Sequence, residues 1–297
     1  MKKSNSLKNR AATTQEQMTV IASLGDTFSL KDILFYLDIP MPTFYYRATH
    51  PKCDRYANER VLIRALFEAS NRAYGYRRIT YALKCDHDVS LDRKTVTKIM
   101  AEEGLRAKGR RRRAYTSYKG TVGKIADNVL KRDFKASAPL QKLVSDITQF
   151  NIGETRVYLS PLVDLFNGEV ISWKIGKSPN MNMVLDMLFD VLPKLADKKP
   201  IIHTDQGFQY QNHRWQYPLK KTGCTQSMSR KGNCIDNSPA ESFFGRLKTE
   251  FSDGSDFKYP KHFMRKFDDY IHWYNEGRIK SSLSGMTPVE YRIMHDK

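Results

Sequence analysis

No stretch of this sequence approaches the roughly 18–20 consecutive apolar residues that a membrane-spanning helix requires. Cysteine is also scarce, because four cysteines in 297 residues are too few for a disulfide framework. The first residues are polar and lead into no apolar segment, so we expect no secretory signal. These absences argue against membrane and secreted proteins and favour a bacterial-type cytoplasm.

Acidic residues are too few to balance the basic ones. The chain has 50 Lys and Arg against 32 Asp and Glu, a net charge of +18. Residues 1–135 hold 28 of the basic and 14 of the acidic residues, whereas residues 136–297 hold 22 and 18. This excess predicts a polyanionic partner, with the N-terminal part as a DNA anchor in the nucleoid and the C-terminal part as an enzyme core. The alternative is a merely soluble basic protein.

The size and composition predict more than one domain. Hydrophobic residues make up 40% of the chain and aromatic residues 11%, which is enough for two cores. We predict four segments in chain order. They are a polar tail (residues 1–27), a helix-turn-helix DNA-binding region (28–105), a basic linker (106–135) and a catalytic core with C-terminal helices (136–297).

The predicted helix-turn-helix region has apolar residues at helical spacing. Ser29 can cap its first helix, and residues 39–42 (IPMP) break the pattern before a second helix begins. A later helix has Ser90 as its candidate cap and basic residues opposite its apolar positions, where they could reach a DNA groove. These basic residues are Arg93, Lys94 and Lys98. The alternative is an ordinary helical hairpin with a solvated basic face.

The predicted linker begins with a dense basic run, residues 106–113 (RAKGRRRR). Like charges at this density repel one another and resist packing, so the run is typical of a linker or an arm. Opposite phosphates it would release counterions and increase affinity for DNA. The candidate DNA contacts here are Arg110, Arg111, Arg112 and Arg113.

The apolar pattern changes to a period of two in the C-terminal half, which is typical of strands. The predicted strands are residues 143–150, 156–165, 170–175, 201–204 and 225–228. The predicted helices are residues 183–195, 238–251 and 259–274, the first with Ser178 or Asn180 as its cap. Three meandering strands followed by alternating helices and strands predict a mixed α/β sheet.

Three acidic residues stand where a metal site could form. Asp146 lies in the first predicted strand, Asp205 ends the fourth, and Glu241 lies in the first turn of a helix. A carboxylate in an apolar strand is costly unless it is paired or bound to a metal, and ligands collect at strand ends in open α/β sheets. Oxygen ligands without a His/Cys cluster suit Mg²⁺ or Mn²⁺, and two such ions can hold the attacking and leaving oxygens of a phosphodiester.

These acids also have structural interpretations. Residues 205–207 could form only a turn. Ser238 and Glu241 have the spacing of a capping box, with proline at the first helical position. The same pattern recurs at Thr287 and Glu290, where no chemistry is evident.

The spacing of the acids narrows the interpretation. Asp146 and Asp205 are separated by 58 residues, Asp205 and Glu241 by 35, and Lys248 follows Glu241 by seven. This pattern resembles the DDE signature of transposases and retroviral integrases. The seven-residue step places Lys248 on the same helix face as Glu241, two turns later.

Longer motifs resemble the OrfB transposases of bacterial copy-out–paste-in insertion sequences. Residues 203–210 (HTDQGFQY) are similar to the second catalytic motif of that family, and residues 229–250 (SRKGNCIDNSPAESFFGRLKTE) to the third. Residues 74–79 (YGYRRI) and 94–96 (KTV) resemble its helix-turn-helix module, and residues 270–291 its closing segment. The resemblance extends from about residue 28 to the end of the sequence.

The resemblance implies a ribonuclease H-like core that cleaves and joins DNA. Its metal-binding triad would be Asp146, Asp205 and Glu241, with two Mg²⁺ or Mn²⁺ ions. Water would attack a phosphodiester and leave a DNA 3′-OH, which would then attack another strand. The supporting residues would be Lys248 on the terminal DNA phosphates, and His203 and Asn237 beside the metal ligands.

The resemblance also implies partners. They are double-stranded DNA, as element ends and target, and further copies of the chain on that DNA. In this family an upstream reading frame usually supplies a fused DNA-binding protein. One departure is Leu143, where the family usually has tryptophan. Two other functions stay open: a metal-dependent nuclease of the same fold, and a non-catalytic DNA-binding regulator.

Overall fold

The computed structural model describes residues 14–25, 27–50, 54–107, 123–251, 257 and 259–295. The chain divides into two units, Met1–Asn58 and Glu59–Lys297. No helix within the described ranges is both long enough and apolar enough to span a bilayer.

The described part of the first unit contains three short helices. They are α1 (Thr14–Leu24), α2 (Leu30–Tyr36) and α3 (Met41–Thr49). Ser29 caps α2 as predicted, its side chain accepting a hydrogen bond from the Asp32 backbone amide. Helix α1 lies in the segment we expected to be a polar tail. It forms because Ile21 is buried against Ile33 and Leu34 of α2.

Three further helices follow, of which the first starts two residues before the boundary between the units. They are α4 (Ala57–Ala69), α5 (Tyr76–His87) and α6 (Arg93–Glu102). Val96, Ile99 and Met100 face inward on α6. Ser90 was the wrong cap: Asp92 caps α6, and its carboxylate accepts a hydrogen bond from the Lys94 amide at 2.7 Å.

Within the described ranges, six strands form one mixed sheet. They are β1 (Lys142–Ser145), β2 (Thr148–Ile152), β3 (Thr155–Asp164), β4 (Val170–Gly176), β5 (Ile201–Thr204) and β6 (Thr225–Met228). On one edge β3 pairs antiparallel with β4, and on the other with β1 and β2. Strand β5 then pairs parallel with β1, and β6 parallel with β5. This mixed sheet with flanking helices is the ribonuclease H-like fold that was expected.

The predicted strand over residues 143–150 is interrupted at Asp146 and Ile147. The Asp146 carboxylate accepts a hydrogen bond from the Ile147 amide at 2.7 Å. The antiparallel register against β3 is nevertheless unchanged, because Ser145 lies opposite Leu162 and Thr148 opposite Leu159.

Helices cover both faces of the sheet. The remaining helices are α7 (Met181–Phe189), α8 (Leu192–Lys198), α9 (Phe208–Gln211), α10 (His213–Lys221), α11 (Ser238–Glu250), α12 (Pro260–His272) and α13 (Pro288–His295). Leu143 packs in the layer that holds α7 and α10, whereas Val144 packs against α11 and α12. Burying one such side chain contributes about 1.5–3 kcal/mol, so the alternation fixes the face to which each strand residue belongs. Asn180 caps α7 as predicted.

Glu250, the last residue of α11, lies in a buried ionic network. Arg278, with a side chain only 1% exposed, donates to it through Nε at 2.7 Å and Nη2 at 2.6 Å. Arg78 of α5 and the Tyr270 hydroxyl of α12 complete the contacts. The network therefore joins the helical region around α5 to the helices that cover the sheet.

Candidate active site

Asp146 and Asp205 lie opposite each other at one edge of the sheet. Strands β1 and β5 are parallel, with Lys142 opposite Ile201 and Val144 opposite His203. Each aspartate directly follows the last residue of its strand, so the same register places them side by side. Neighbouring strands are about 4.8 Å apart, which brings the two carboxylates close together.

The electrostatics of this pair are unfavourable without a cation. Burial, and then the charge of Asp205, raise the pKa of Asp146 well above its usual value, and Glu241 adds to this effect. Burial also raises the pKa of Asp205. Each carboxylate accepts one backbone hydrogen bond, from Ile147 and Gly207 respectively. In the described part of the chain, no basic side chain forms an ion pair with either aspartate.

Glu241 lies half-buried in the first turn of α11. The capping box proposed from sequence does not form there, because Ser238 is already helical at φ −55° and ψ −31°. The residue that precedes the helix is Asn237, and its side chain makes no capping hydrogen bond.

The second copy of the pattern behaves differently. The Glu290 carboxylate accepts a hydrogen bond from the Thr287 amide at 2.8 Å, and the Thr287 hydroxyl accepts one from the Glu290 amide at 3.2 Å. This is a complete capping box. The two stretches share a sequence pattern but differ in structure, and the capping box forms at Thr287 and Glu290.

Asn237 contacts the aspartate pair directly. Its Nδ2 donates to Asp146 Oδ2 at 2.9 Å. The side chain is buried, and its Oδ1 has no hydrogen-bond partner among the described residues. The free lone pairs of this oxygen can accept a hydrogen bond or bind a cation.

Asp236, the neighbour of Asn237, was not assigned a role from the sequence. Its wholly buried carboxylate accepts hydrogen bonds from Arg132, from Asn128, and from the side chain and backbone of Arg230. The Arg230 guanidinium holds the pKa of Asp236 well below its usual range. Arg230 lies in the same motif, but Arg132 is 104 residues away, so no local pattern could reveal this cluster.

His203 lies in the strand beside the aspartates without touching them through a described hydrogen bond. Its Nδ1 is 2.9 Å from Ser227 Oγ, and its buried Nε2 has no partner in the described ranges. Burial lowers the pKa of this imidazole. Below the aspartates, Tyr210 is buried with its hydroxyl 3.3 Å from Ser145 Oγ, and burial keeps it neutral by raising its pKa.

The structure places the predicted basic residues in different settings. Lys248 is half-buried on α11, with its Nζ 5.6 Å from the centre of the Phe150 ring. The three α6 residues, Arg93, Lys94 and Lys98, are exposed. The arginines predicted at positions 110–113 lie outside the described residues. Leu143, at the position where tryptophan was expected, is fully buried on the sheet face opposite α11.

The three predicted metal ligands do not form a preassembled cluster. Among the residues that the structure describes, no three His, Cys, Asp or Glu side chains are close enough to hold an ion. What the fold supplies is the aspartate pair, with Asn237 hydrogen-bonded to it and the charge of Glu241 acting on it.

Comparison with known proteins identifies the family. One integrase core domain model matches residues 136–234, a second matches residues 241–295, and an HTH-like domain model matches residues 54–113. The putative transposase InsK of element IS150 from Escherichia coli K12 is 42% identical over 277 residues. The alignment includes 93% of this chain and 97% of that protein. The chain belongs to the insertion-sequence transposases.

Other relatives agree with this assignment. The probable transposase of element IS1353 from Shigella flexneri is 40% identical, and the match includes 98% of this transposase but 57% of that longer protein. The HTLV-2 integrase catalytic core domain, solved with magnesium, matches 52% of this chain and 98% of that one, at 17% identity and a TM-score of 0.41. A TM-score of 0.41 does not support a fold assignment, so the assignment depends on the strand order and the family models. An integrase core and an HTH-like domain make this transposase an enzyme that acts on DNA.

Proposed function

We propose that this transposase cleaves and joins DNA phosphodiesters with divalent metal ions held by Asp146, Asp205 and Glu241. The observation that carries the proposal is the aspartate pair: two carboxylates side by side, each with a raised pKa and without a basic partner in the described residues. Neighbouring negative charges destabilise each other, and a cation bound between them would remove that repulsion. The donors are hard oxygens, which fits Mg²⁺ or Mn²⁺.

The site residues have distinct proposed roles. Asp146 and Asp205 would hold the metal at the edge of the sheet, and Glu241 would complete the ligand set from α11. Two such ions, when bound, would supply positive charge to the phosphate under attack. Asn237 orients Asp146 through its 2.9 Å hydrogen bond. His203 supports β5 and β6 through Ser227 and has no proposed contact with the reacting atoms.

The proposed reaction has two in-line displacements. In the first, the oxygen of a water forms a bond to a DNA phosphorus, and the 3′-oxygen leaves and gains a proton. In the second, this 3′-OH attacks a target phosphodiester, and the target strand's 3′-oxygen leaves. Positioning and charge neutralisation supply most of the catalysis in such steps.

DNA is held by basic residues in this proposal. Residues 28–105 read double-stranded DNA, with Arg93, Lys94 and Lys98 on phosphates. In the linker, residues 106–135, Arg110 to Arg113 make further contacts with DNA phosphates. Residues 136–297 form the catalytic core, in which Lys248 contacts the terminal phosphates of the element. We further propose that copies of the chain assemble on the element's ends, with an upstream-frame protein as an additional partner.

End-labelled DNA carrying the element's own termini tests the proposal. With Mg²⁺ or Mn²⁺ we expect 3′-end nicks and joined products from the normal chain and none from Glu241→Gln. Glu290→Gln is the matched control, because the same change falls on a capping glutamate. Equal joining by Glu241→Gln would refute the assignment.

The same assay distinguishes the two other functions. Hydrolysis without joining would identify a nuclease. Binding without chemistry, even after the fused upstream frame is added, would identify a regulator.

A further inference from the structure

Arg132 and Arg230 converge on one buried carboxylate close to the candidate active site. Arg132 Nε is 2.7 Å from Asp236 Oδ1. Arg230 donates to Asp236 through Nε at 2.8 Å and Nη2 at 2.9 Å. The carboxylate balances only one of the two guanidinium charges, so the three side chains together carry a net charge of +1.

The strand register places this cluster at the same edge of the sheet as the aspartate pair. Thr204 lies opposite Met228, so the next residues, Asp205 and Ser229, come opposite each other. The Ser229 amide donates to the Thr204 carbonyl at 2.9 Å, which continues the pairing. Arg230 therefore comes directly after the residue beside Asp205. On the other side, Asp236 is followed by Asn237, which contacts Asp146.

The arginines have donors left for a ligand. Arg132 uses only Nε on Asp236, so its two terminal nitrogens have no hydrogen bond within the described residues, and 41% of its side chain is exposed. Arg230 is 61% exposed and uses Nε and Nη2. A guanidinium fixed along one edge loses little further freedom when its other N–H groups bind a phosphate.

The backbone at Arg132 is also unusual. Lys131 and Arg132 both have left-handed conformations, with φ of 47° and 67°. Residues with a Cβ rarely adopt this conformation, and it persists only when surrounding contacts impose it. Here the Leu130 amide donates to Ser227 Oγ at 3.0 Å and the Lys131 amide to Asn128 Oδ1 at 2.9 Å. Two consecutive strained residues hold the Arg132 side chain against Asp236.

We propose that Arg132 and Arg230 form a binding site for one DNA backbone phosphate beside the carboxylates, with Arg132 as its main contact. The proposal rests on the proposed function, since it supplies the DNA with a fixed point next to the reacting phosphodiester. The phosphate can belong to the element's end or to the target strand, because both present the same chemistry.

Salt dependence of DNA binding by the full chain tests the site. Affinities are measured without divalent metal, for Arg132→Gln, Arg132→Lys and the control Arg214→Gln. Arg214 is exposed on α10, on the sheet face opposite α11. The same Arg→Gln change there removes the same charge away from the proposed site. We expect Arg132→Gln to reduce the slope of log affinity against log salt by about 0.9. Arg132→Lys should restore the slope, and Arg214→Gln should leave it unchanged.

A scan of single methylphosphonates locates the phosphate without altering the protein. End DNA and an unrelated target duplex are scanned separately, so the duplex that shows the effect identifies its source. We expect one neutral linkage to weaken binding by the normal chain and to have no added effect on Arg132→Gln. An unchanged slope, or the same scan profile for both proteins, would overturn the proposal.

These readouts separate this proposal from the proposed function. An unchanged slope would remove the arginine site and leave the carboxylate chemistry standing. Joining by Glu241→Gln would refute the proposed catalytic triad, and the arginine site would still be tested by the salt dependence of binding. Urea unfolding checks that Arg132→Gln remains folded. Where it does not, Arg230→Gln, which changes the more exposed arginine of the site, replaces it in both measurements.

Discussion

A buried carboxylate, Asp236, and a half-buried pair, Asp146 and Asp205, lie next to each other in this transposase, and they differ in their partners. Asp236 accepts hydrogen bonds from two arginines, and its pKa is held low. Among the described residues, two backbone amides and Asn237 donate hydrogen bonds to Asp146 and Asp205, and the pKa values of both aspartates are raised. At Asp236, two guanidinium groups balance the negative charge inside the fold. The aspartate pair instead carries negative charge that no basic side chain in the described residues balances, and a cation from solution would balance it.

The largest expected effect comes from comparing the stability of Glu250→Gln with that of Asp205→Asn. Glu250, like Asp236, is a carboxylate paired to arginine, whereas Asp205 is not. Glu250→Gln leaves Arg278 buried without its partner, and removing one member of a buried ion pair costs about 3–5 kcal/mol. Asp205→Asn removes a repulsion, so in EDTA we expect the free energy of unfolding to stay the same or rise. Urea unfolding measures both variants. Equal losses would show that carboxylates with and without an arginine partner do not differ as described.

Asp164 offers an intermediate case, since it is wholly buried and its carboxylate accepts hydrogen bonds from the Leu140 and Phe166 amides. Burial raises its pKa to about 6. The folded state therefore holds this proton more tightly than the unfolded state. Its stabilising contribution is complete below the unfolded pKa of about 3.9 and is lost as pH rises through about 6, in total about 3 kcal/mol.

Urea unfolding of the normal chain and Asp164→Asn between pH 4 and 7.5 measures this contribution. We expect the normal chain to lose stability relative to the variant as pH rises, because only the variant lacks the titrating group. Other acids titrate in both proteins, so the difference between the two curves is the relevant quantity. Parallel curves would contradict the prediction.

Asn237→Ala removes the side-chain donor on Asp146. Residues that orient a metal ligand typically contribute 10–100-fold to activity or metal affinity, so we expect a loss of joining of about that size. Asn180→Ala is the control, because it removes a helix cap on α7 and makes no contact with the carboxylates. Its unfolding free energy should fall while joining is maintained. Similar joining by both variants would exclude a positioning role for Asn237.

The smallest expected effect is the difference in unfolding free energy between Thr287→Ala and Ser238→Ala, at the two stretches with a serine/threonine–proline–glutamate pattern. Thr287→Ala removes a helix cap and should lower the free energy of unfolding by about 1 kcal/mol. Ser238→Ala should change it by less than about 0.5 kcal/mol, because Ser238 lies inside the helix. Urea unfolding of the pair decides the point, and a comparable loss for Ser238→Ala would restore the capping interpretation of Glu241.

Local sequence patterns predicted where strands and helix caps lie, but not where a strand is interrupted. Period-two apolar residues located the strands, and short polar side chains located caps at Ser29 and Asn180. The break at Asp146 was missed, because the hydrogen bond from the Ile147 amide is not visible in the apolar pattern. Helix α1 was missed because its burial depends on contacts with α2.

The candidate site was predictable only in part. The spacing and motifs around Asp146, Asp205 and Glu241 pointed to their proposed roles. Pairings between distant segments leave no periodic signal, so the partners of Asp236 and Glu250 required the structure. The same four-residue pattern gave opposite results at Ser238 and Thr287, since the capping serine is already inside its helix.

The constant offset between β1 and β5 limits how this gene can vary. Each residue of β1 lies opposite the β5 residue 59 positions later, and Asp146 and Asp205 keep that offset. A one-residue insertion or deletion between Lys142 and Asp146 would turn Asp146 toward the α7 layer and shift it along the strand. This segment therefore tolerates replacement of side chains on the α7 face far better than any change in its length.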